Sequence, residues 1–254
     1  MRTLSLAIAA LLVAGCVHAS SSPGSQLMPR DGTELVTRMH DRYAGRWYNT
    51  VTFTQTTTQQ LPNGTERIST WHEALRAPGI LRIDVGAPAD GNVVIYTRDS
   101  SYRVRAGKLV RAEPDANPFM PFVVTMYHVP AAETLGELAR WNFDLSRIRA
   151  DTLDGRPTWV VGAADAADTT SPQFWVDAER LVATRIIVAP EAMAPVMDIS
   201  LRGYQPLGGG WIATDVDIRM GGKSVQREQY ADLRANVDLP PSMFDPHQWP
   251  AGGA

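Results

Sequence analysis

The chain has 254 residues, of which 44% are hydrophobic, and a formal net charge of -3 at pH 7. This length suits one large all-β domain or two small ones, with enough apolar residues for a full core. The near-neutral balance and the scattered arginines exclude the basic stripe of a nucleic-acid-binding protein, so no nucleic-acid partner is expected.

The N-terminal residues have the pattern of an export signal. Met1-Arg2 is a short positive region, and the apolar run from Leu4 to Val13 is too short to span a bilayer. We assign residues 1–19 to this signal and the start of a tether. Residues 20–30, rich in serine with proline and glycine, are predicted to continue as a flexible tether.

Cys16 is the only cysteine in the chain, and it ends the sequence Leu12-Val13-Ala14-Gly15-Cys16. This sequence resembles the lipobox of bacterial lipoproteins, which implies cleavage before Cys16 and lipidation of its thiol. By the same resemblance, Val17 in the next position favours sorting to the outer membrane, on its periplasmic face. Cleavage after Val17-His18-Ala19 also satisfies the small-x-small rule, and a soluble periplasmic protein is then the alternative.

A helix is predicted immediately after the tether. Asp31 and Glu34 have the spacing of a capping box. An apolar residue then recurs at every fourth position, at Leu35, Met39 and Tyr43. This period predicts a helix over residues 32–44 that packs one face on a sheet, and Gly45 follows where the helix would end.

The strand pattern is clearest over residues 47–85. Aromatic and β-branched residues alternate with threonines after Trp47, and Asn63-Gly64 indicates a tight hairpin turn with positive φ angles. The chain then returns from Thr65 to Arg76 and, after Ala77-Pro78-Gly79, extends through residues 80–85. Further strands are expected at 92–97, 101–105, 108–111, 143–149, 158–161, 173–176, 181–188, 197–201, 211–220 and 224–233.

These elements predict a mainly β (α+β) fold. A single antiparallel sheet of about ten or eleven strands has to curve in order to hide its apolar face, which gives an unclosed half-barrel. No break in composition divides residues 31–254, so we assign them to one domain.

One insertion, over about 113–141, interrupts the strand pattern. Four prolines exclude a long strand, and Pro130 suits the first turn of a helix that runs to about Arg140. An unusually apolar run lies between the prolines and includes Phe119, Met120, Phe122, Val123 and Met126. The insertion is expected to cover the inner face of the sheet, either as a lid over a ligand or as a plain core plug.

The order of these parts resembles the LolA/LolB-like superfamily of periplasmic lipoprotein carriers. The segments that carry the resemblance are Phe53-Thr54-Gln55, Ala77-Pro78-Gly79-Ile80-Leu81-Arg82-Ile83, the proline-rich insertion and the closing Leu239-Pro240-x-x-Met243-Phe244. The resemblance implies an unclosed β-barrel with a helical lid that binds acyl chains. Two features depart from the family: Ala77 stands where the soluble carrier has an arginine, and the loop 86–91 lacks the exposed leucine of the outer-membrane receptor.

An apolar hollow under the insertion is therefore the expected ligand site. Each methylene group removed from water contributes about 0.8 kcal/mol, which suffices for reversible binding of a hydrocarbon chain. The candidate lining residues are Trp47, Val51, Phe53, Leu81, Ile83, Phe119, Met120, Phe122, Val123 and Met126. Ordinary core packing is the alternative role for each of them.

No catalytic constellation, metal site or cofactor site is expected. The chain has no Gly-x-Ser-x-Gly elbow, no phosphate loop and no histidine pair at metal-ligand spacing. His72 and Glu73 are neighbours on a predicted strand, so they point to opposite faces and cannot share a substrate. Asp215 and Asp217 alternate with apolar residues, which is typical of a solvated sheet face.

The leading hypothesis is a lipid-anchored, periplasm-facing protein that is not an enzyme. It would bind a lipid or the acyl chain of a lipoprotein and act in outer-membrane lipoprotein or lipid trafficking. The alternative is a non-enzymatic envelope sensor or scaffold that binds a protein partner through the same fold. An envelope hydrolase ranks last, because no nucleophile and base come together.

Overall fold

The structure is a computed structural model that describes residues 27–188 and 195–247. The export signal, Cys16 and most of the tether lie outside these ranges, so the sequence predictions for them stay predictions. Within the described ranges, no helix is long and apolar enough to cross a membrane.

Three helices and fifteen strands make up the described fold. The helices are α1 Gly32–Tyr43, α2 Met120–Val123 and α3 Ala131–Leu138. The strands are β1 Thr50–Gln60, β2 Glu66–Arg76, β3 Ile80–Val85, β4 Val93–Tyr96, β5 Ser101–Arg105, β6 Lys108–Glu113, β7 Ile148–Leu153, β8 Arg156–Val161, β9 Gln173–Asp177, β10 Ala183–Val188, β11 Met197–Arg202, β12 Gln205–Leu207, β13 Gly210–Ile212, β14 Asp215–Met220 and β15 Lys223–Ala235.

Thirteen of these strands form one antiparallel sheet that does not close into a barrel. Its order is β6-β5-β4-β3-β2-β1-β15-β14-β11-β10-β9-β8-β7, and β12 pairs with β13 as a separate hairpin. The predicted fold class is confirmed. The sheet has thirteen strands instead of the ten or eleven expected, and the short strands β4, β5 and β6, each of which was predicted, pair in sequence at one edge.

One predicted strand lies later in the chain than the sequence pattern indicated. A strand was expected over 143–149, but β7 begins at Ile148. The Asp144 carboxylate accepts hydrogen bonds from the backbone N–H and the hydroxyl of Ser146, at 3.1 and 2.6 Å, which holds a turn there. The preceding Phe143 places its ring in the core instead of in a strand.

The β1–β2 hairpin sets which side chains face inward. Its closing loop has five residues, 61–65, because Gln60 pairs with Glu66. Gly64 has the expected positive φ of 82°, whereas Asn63 does not have a positive φ. In this register Phe53 lies directly opposite Glu73, and Val51 lies opposite Leu75.

Helix α1 packs against the insertion, where it contacts the one-turn helix Thr125–Tyr127 and α3. Asp31 caps it by accepting a hydrogen bond from the Glu34 backbone N–H at 2.8 Å, as the capping-box spacing predicts. The predicted stripe of Leu35, Met39 and Tyr43 is buried. At Gly32 the backbone comes so close to β8 that a Cβ atom would lie 2.6 Å from the Val161 side chain.

The insertion runs between β6 and β7, which are the two opposite edges of the sheet. A connection between opposite edges of a curved sheet crosses its concave face, and the insertion does so here. Its inner side chains are core: Phe122, Val124, Met126, Tyr127 and Leu138 are buried. His40 on α1 also contacts the insertion, because its Nδ1 lies 2.9 Å from the Met126 carbonyl oxygen. Much of the insertion is therefore a plug.

Candidate functional site

A cavity of about 120 Å³ lies between the insertion and the inner face of the sheet, and it is partly open to solvent. An engineered apolar cavity of about 150 Å³ binds benzene, so this space is large enough for the end of a hydrocarbon chain. Most of its wall is apolar or aromatic. The lining residues are Trp47, Tyr48, Val51, Phe53, Glu73, Leu75, Leu81, Ile83, Asn117, Phe119, Met120, Phe122, Val123, Tyr127, Val182, Leu201, Tyr204, Trp211, Ile212, Ala213, Val216, Glu228 and Tyr230.

Nine of the ten residues predicted to line a hollow lie around this cavity. They are Trp47, Val51, Phe53, Leu81, Ile83, Phe119, Met120, Phe122 and Val123. The tenth, Met126, does not border the cavity. It is fully buried in the one-turn helix Thr125–Tyr127, which packs against α1, so its side chain belongs to the core. Whether the nine bind a ligand stays a prediction.

Trp47 forms a fixed wall at the apolar end of the cavity. Its indole stacks on the Tyr127 ring, with centroids 3.8 Å apart, and meets the edge of Tyr43 at 4.8 Å. On another side the backbone of Gly210 approaches the indole so closely that a Cβ atom would lie 2.4 Å from it. Only a glycine fits at that position, so the orientation of the indole is set by packing.

The other end of the cavity is polar, and it contains two buried carboxyl groups. Glu73 on β2 and Glu228 on β15 have exposed fractions of 7% and 8%. They come from the two strands that flank β1, opposite Phe53 and Thr57 respectively. Because opposite residues of an antiparallel pair share a face, both carboxyls lie on the inner face of the sheet.

Hydrogen bonds satisfy Glu228. The Tyr230 hydroxyl donates to Glu228 Oε2 at 2.6 Å, and Gln226 Nε2 donates to Glu228 Oε1 at 2.6 Å. The Tyr230 ring in turn lies 4.4 Å from the ring of Phe53. Within the described ranges 27–188 and 195–247, no hydrogen bond or ion pair to the Glu73 carboxyl group is found.

Both carboxyl groups are harder to ionise than an exposed glutamate. Burial, followed by the charge of Glu228, raises the pKa of Glu73 well above its ordinary value. Burial also raises the pKa of Glu228, although hydrogen bonds from Tyr230, Gln226 and Gln55 oppose that shift. Two carboxylates in one low-dielectric site repel each other, so the charge of Glu228 makes ionisation of Glu73 less favourable.

This carboxyl pair was not predicted from the sequence. His72 and Glu73 were expected on opposite faces of the strand, but Glu73 was not assigned to the inner face. Strand β2 has no period of two that would mark its buried side, and the hairpin loop length decides the question. A two-residue turn at Asn63-Gly64 would have placed Ala74 opposite Phe53, whereas the five-residue loop places Glu73 there.

A second polar cluster joins the insertion to the sheet at a distance from the cavity wall. Arg98 Nε donates to Glu137 Oε1 at 2.6 Å, and its guanidinium lies 3.3 Å from Glu133. Arg140 donates to the carbonyl oxygen of Arg98 at 3.3 Å. These contacts fasten α3 to the segment after β4.

In the part of the chain that the structure describes, no three His, Cys, Asp or Glu side chains are grouped to hold a metal ion.

The geometry is that of an open antiparallel sheet with a covered apolar concavity, and solved proteins share it. A domain described as an outer membrane lipoprotein-sorting protein domain, from Vibrio parahaemolyticus, has a TM-score of 0.55 and 16% identity, over 84% of this chain and 96% of that one. A DUF1329 family protein from Desulfovibrio piger has a TM-score of 0.54 and 14% identity, over 84% and 95%.

A LolA superfamily protein from Nitrosomonas europaea has a TM-score of 0.50 and 12% identity, over 83% of this chain and 96% of that one. The chain therefore has the fold of LolA superfamily proteins, as the order of its sequence elements predicted. No protein-family model matches the chain, and no curated protein matches it in sequence. At these identities the likeness concerns the fold.

Proposed function

We propose that this protein binds the acyl chain of a lipid or lipoprotein in the cavity beneath the insertion. The observation that supports this is the cavity itself: an apolar space, partly open, framed by Trp47, Val51 and Phe53 on one side and by the insertion on the other. Four methylene groups buried there would contribute about 3 kcal/mol. The protein acts as a binder and carrier, not as an enzyme.

The cavity as it stands takes only the end of a chain, so a longer chain has to displace part of its cover. Phe119 and Val123 are half-buried at the cavity, whereas Phe122 and Val124 beside them are buried. The first pair can therefore move at a lower cost than the second. We place the entrance at Phe119 and Val123, with the deeper side chains as a fixed floor.

The cellular location in this proposal is predicted from the sequence. The protein faces the periplasm at the outer membrane, held by a lipid on Cys16 through the tether of residues 20–30. Expression of the full chain in a Gram-negative bacterium tests it. The wild type is expected in the outer-membrane fraction and Cys16→Ser in the soluble periplasmic fraction. Equal distribution of the two would contradict the anchor.

Displacement of a fluorescent fatty-acyl probe tests the binding site directly. Val123→Trp fills the entrance and is expected to weaken probe binding by about tenfold, which corresponds to about 1.4 kcal/mol. Val110→Trp is the matched control, because Val110 lies on β6, is 57% exposed and does not border the cavity. Equal probe binding by the two variants would contradict the assigned site.

Native mass spectrometry of the full chain purified from membranes separates the two classes of function. A lipid that co-purifies with the wild type and is lost in Val123→Trp supports the carrier. Protein that is empty of lipid, fails to bind the acyl probe and is isolated with one specific envelope protein would overturn it in favour of the scaffold.

A further inference from the structure

Among the described residues, the charged side chains that line the polar end of the cavity are all acidic. Its lining includes two carboxyl groups, Glu73 and Glu228, and no arginine, lysine or histidine among the described residues. Both side chains are more than nine-tenths buried. A cavity that only had to hold hydrocarbon would gain nothing from two acids in its wall, because burying a carboxyl group away from water costs free energy.

The two acids differ in how they are supported. Glu228 accepts hydrogen bonds from Tyr230 and Gln226, so its geometry is fixed by the protein. Glu73 borders the cavity, and no hydrogen bond or ion pair to it is found within residues 27–188 and 195–247. A buried polar group that lacks a partner in the empty protein, and that faces a cavity, is suited to receive its partner from a ligand.

We propose that Glu73 and Glu228 form a recognition site for the ammonium group of an amine-bearing amphiphile whose hydrocarbon chain occupies the apolar end of the cavity. This inference rests on the proposed acyl-binding function and names the ligand class for the same site. An ammonium group carries N–H donors and one positive charge, so it satisfies Glu73 and reduces the repulsion between the two acids. A carboxylate or phosphate headgroup meets like charge there and is disfavoured.

Binding changes the proton balance of the pair. In the empty protein, burial and the Glu228 charge raise the pKa of Glu73, so its carboxyl group keeps its proton to a higher pH than an exposed glutamate does. When an alkylammonium ion binds, the O–H bond of Glu73 breaks, the electron pair stays on the carboxylate, and the proton leaves to solvent. The titratable groups that face Glu73 are Glu228 and Tyr230 on β15 and Tyr96 on β4, and all three have raised pKa values.

The consequence is a defined pH dependence. Since the bound complex holds one proton fewer, affinity for an alkylammonium ion rises with pH until Glu73 is ionised in the empty protein. Neither tyrosine contributes to this dependence near neutral pH, because their raised pKa values keep both hydroxyl groups protonated. A ligand without a titratable headgroup does not show the same rise.

The test compares three amphiphiles with the same hydrocarbon chain: dodecylammonium, dodecanol and dodecanoate. Each is titrated into the full chain by calorimetry at neutral pH, below its critical micelle concentration. We expect dodecylammonium to bind at least about tenfold more tightly than dodecanoate. Repeating the titration in buffers of different ionisation enthalpy measures the proton released on binding.

Glu73→Gln is the decisive variant, and Glu66→Gln on the same strand is its control, since Glu66 does not border the cavity. We expect Glu73→Gln to lose the preference for dodecylammonium and the proton release while dodecanol still binds. Glu228→Gln, the second variant, is expected to reduce the preference. Circular dichroism verifies that each variant is folded.

The possible outcomes distinguish failure of the ammonium site from failure of the proposed acyl-binding function. If the wild type binds dodecanol but does not prefer dodecylammonium over dodecanoate, the ammonium site is wrong and acyl binding stands. If the preference persists in both Glu73→Gln and Glu228→Gln, the assignment of these residues is wrong. If none of the three amphiphiles binds, the proposed function fails, and the inference fails with it.

Discussion

Two halves of the inner face of the sheet differ in how completely the protein fills them. In the half formed by β8, β9 and β10, Phe174 on β9 and its cross-strand neighbour Ile186 on β10 are fully buried. In the half formed by β1, β2 and β15, the side chains border a cavity and include Glu73 and Glu228. We call these the packed half and the cavity half.

The difference indicates which half of the core contributes more to stability. The packed half gains free energy from close contact among apolar side chains. The cavity half forgoes some of that contact, and it also bears the cost of two buried acids whose pKa values are raised. In the proposed function, the packed half supplies stability and the cavity half leaves space for the ligand.

The largest effect on stability is expected when a large side chain is removed from each half. Phe174→Ala is expected to lower the free energy of unfolding by about 3–5 kcal/mol, since its ring packs against Phe122 and Phe143 at 5.1 and 5.4 Å. Phe53→Ala should cost less, about 2 kcal/mol, because its ring already borders empty space. Urea denaturation of both variants measures this. Equal losses would show that the two halves are equally filled.

Removing an acid from the cavity half should raise the free energy of unfolding instead of lowering it. Glu73→Gln is expected to raise the free energy of unfolding by about 1–2 kcal/mol at neutral pH, because a buried ionisable group without a partner is costly. Thermal unfolding of the protein without ligand checks it. A fall in stability would show that Glu73 makes a structural contact that holds the fold together.

The same variant gives a pH prediction. The folded-state pKa of Glu73 lies above the unfolded value of about 4.3. The folded state therefore binds more protons than the unfolded state between those two values, and the wild type loses stability as pH rises through that window. The stability gap between Glu73→Gln and the wild type should be small at about pH 4 and widen above it. A gap that is constant with pH would exclude ionisation of Glu73 as its cause.

A smaller loss of stability is expected where Arg98 joins α3 to the sheet. Arg98→Met leaves the Glu137 carboxylate, only 9% exposed, without its partner, and should cost about 1 kcal/mol after solvent screening of the partly exposed arginine. Adding Glu137→Gln should restore most of the loss. A double mutant no more stable than Arg98→Met would mean that the arginine acts through its hydrocarbon stem.

The smallest effect is expected outside both halves. Ile68 on β2 is 67% exposed, so Ile68→Thr should change the free energy of unfolding by less than about 0.5 kcal/mol. Urea denaturation again measures it. A larger loss would indicate that this part of β2 is covered by a surface that the described residues do not supply.

The architecture could be predicted from the sequence where the chain has a strong period. The four-residue stripe of α1 and the alternation in β1 both place their apolar side chains on the face that the structure buries. The order of parts, including an insertion between two groups of strands, also indicated the fold. Nine of the 23 cavity-lining residues were predicted in this way.

The carboxyl end of the cavity could not be predicted, for a physical reason. In β2 the buried residues Glu73, Ala74 and Leu75 are consecutive, so hydrophobic alternation gives no face for Glu73. Its orientation follows from the length of a loop eight residues away, and a change of one residue in that loop would turn it to the other side. Met126 was misplaced similarly, because an apolar run in a short helical turn does not show which of its members face the sheet.

The strand that supplies one wall of the cavity, β1, pairs on its far side with β15, near the other end of the described chain: Val51 lies opposite Ala235. Joining residues so distant in sequence costs more loop-closure entropy than forming a local hairpin. The strand groups β1–β6 and β7–β15 can each form early from neighbouring segments. The β1–β15 pairing at the centre of the sheet forms only when the two groups meet. High contact order of this kind is typical of slow-folding proteins, so the cavity is expected to be the last feature to appear during folding.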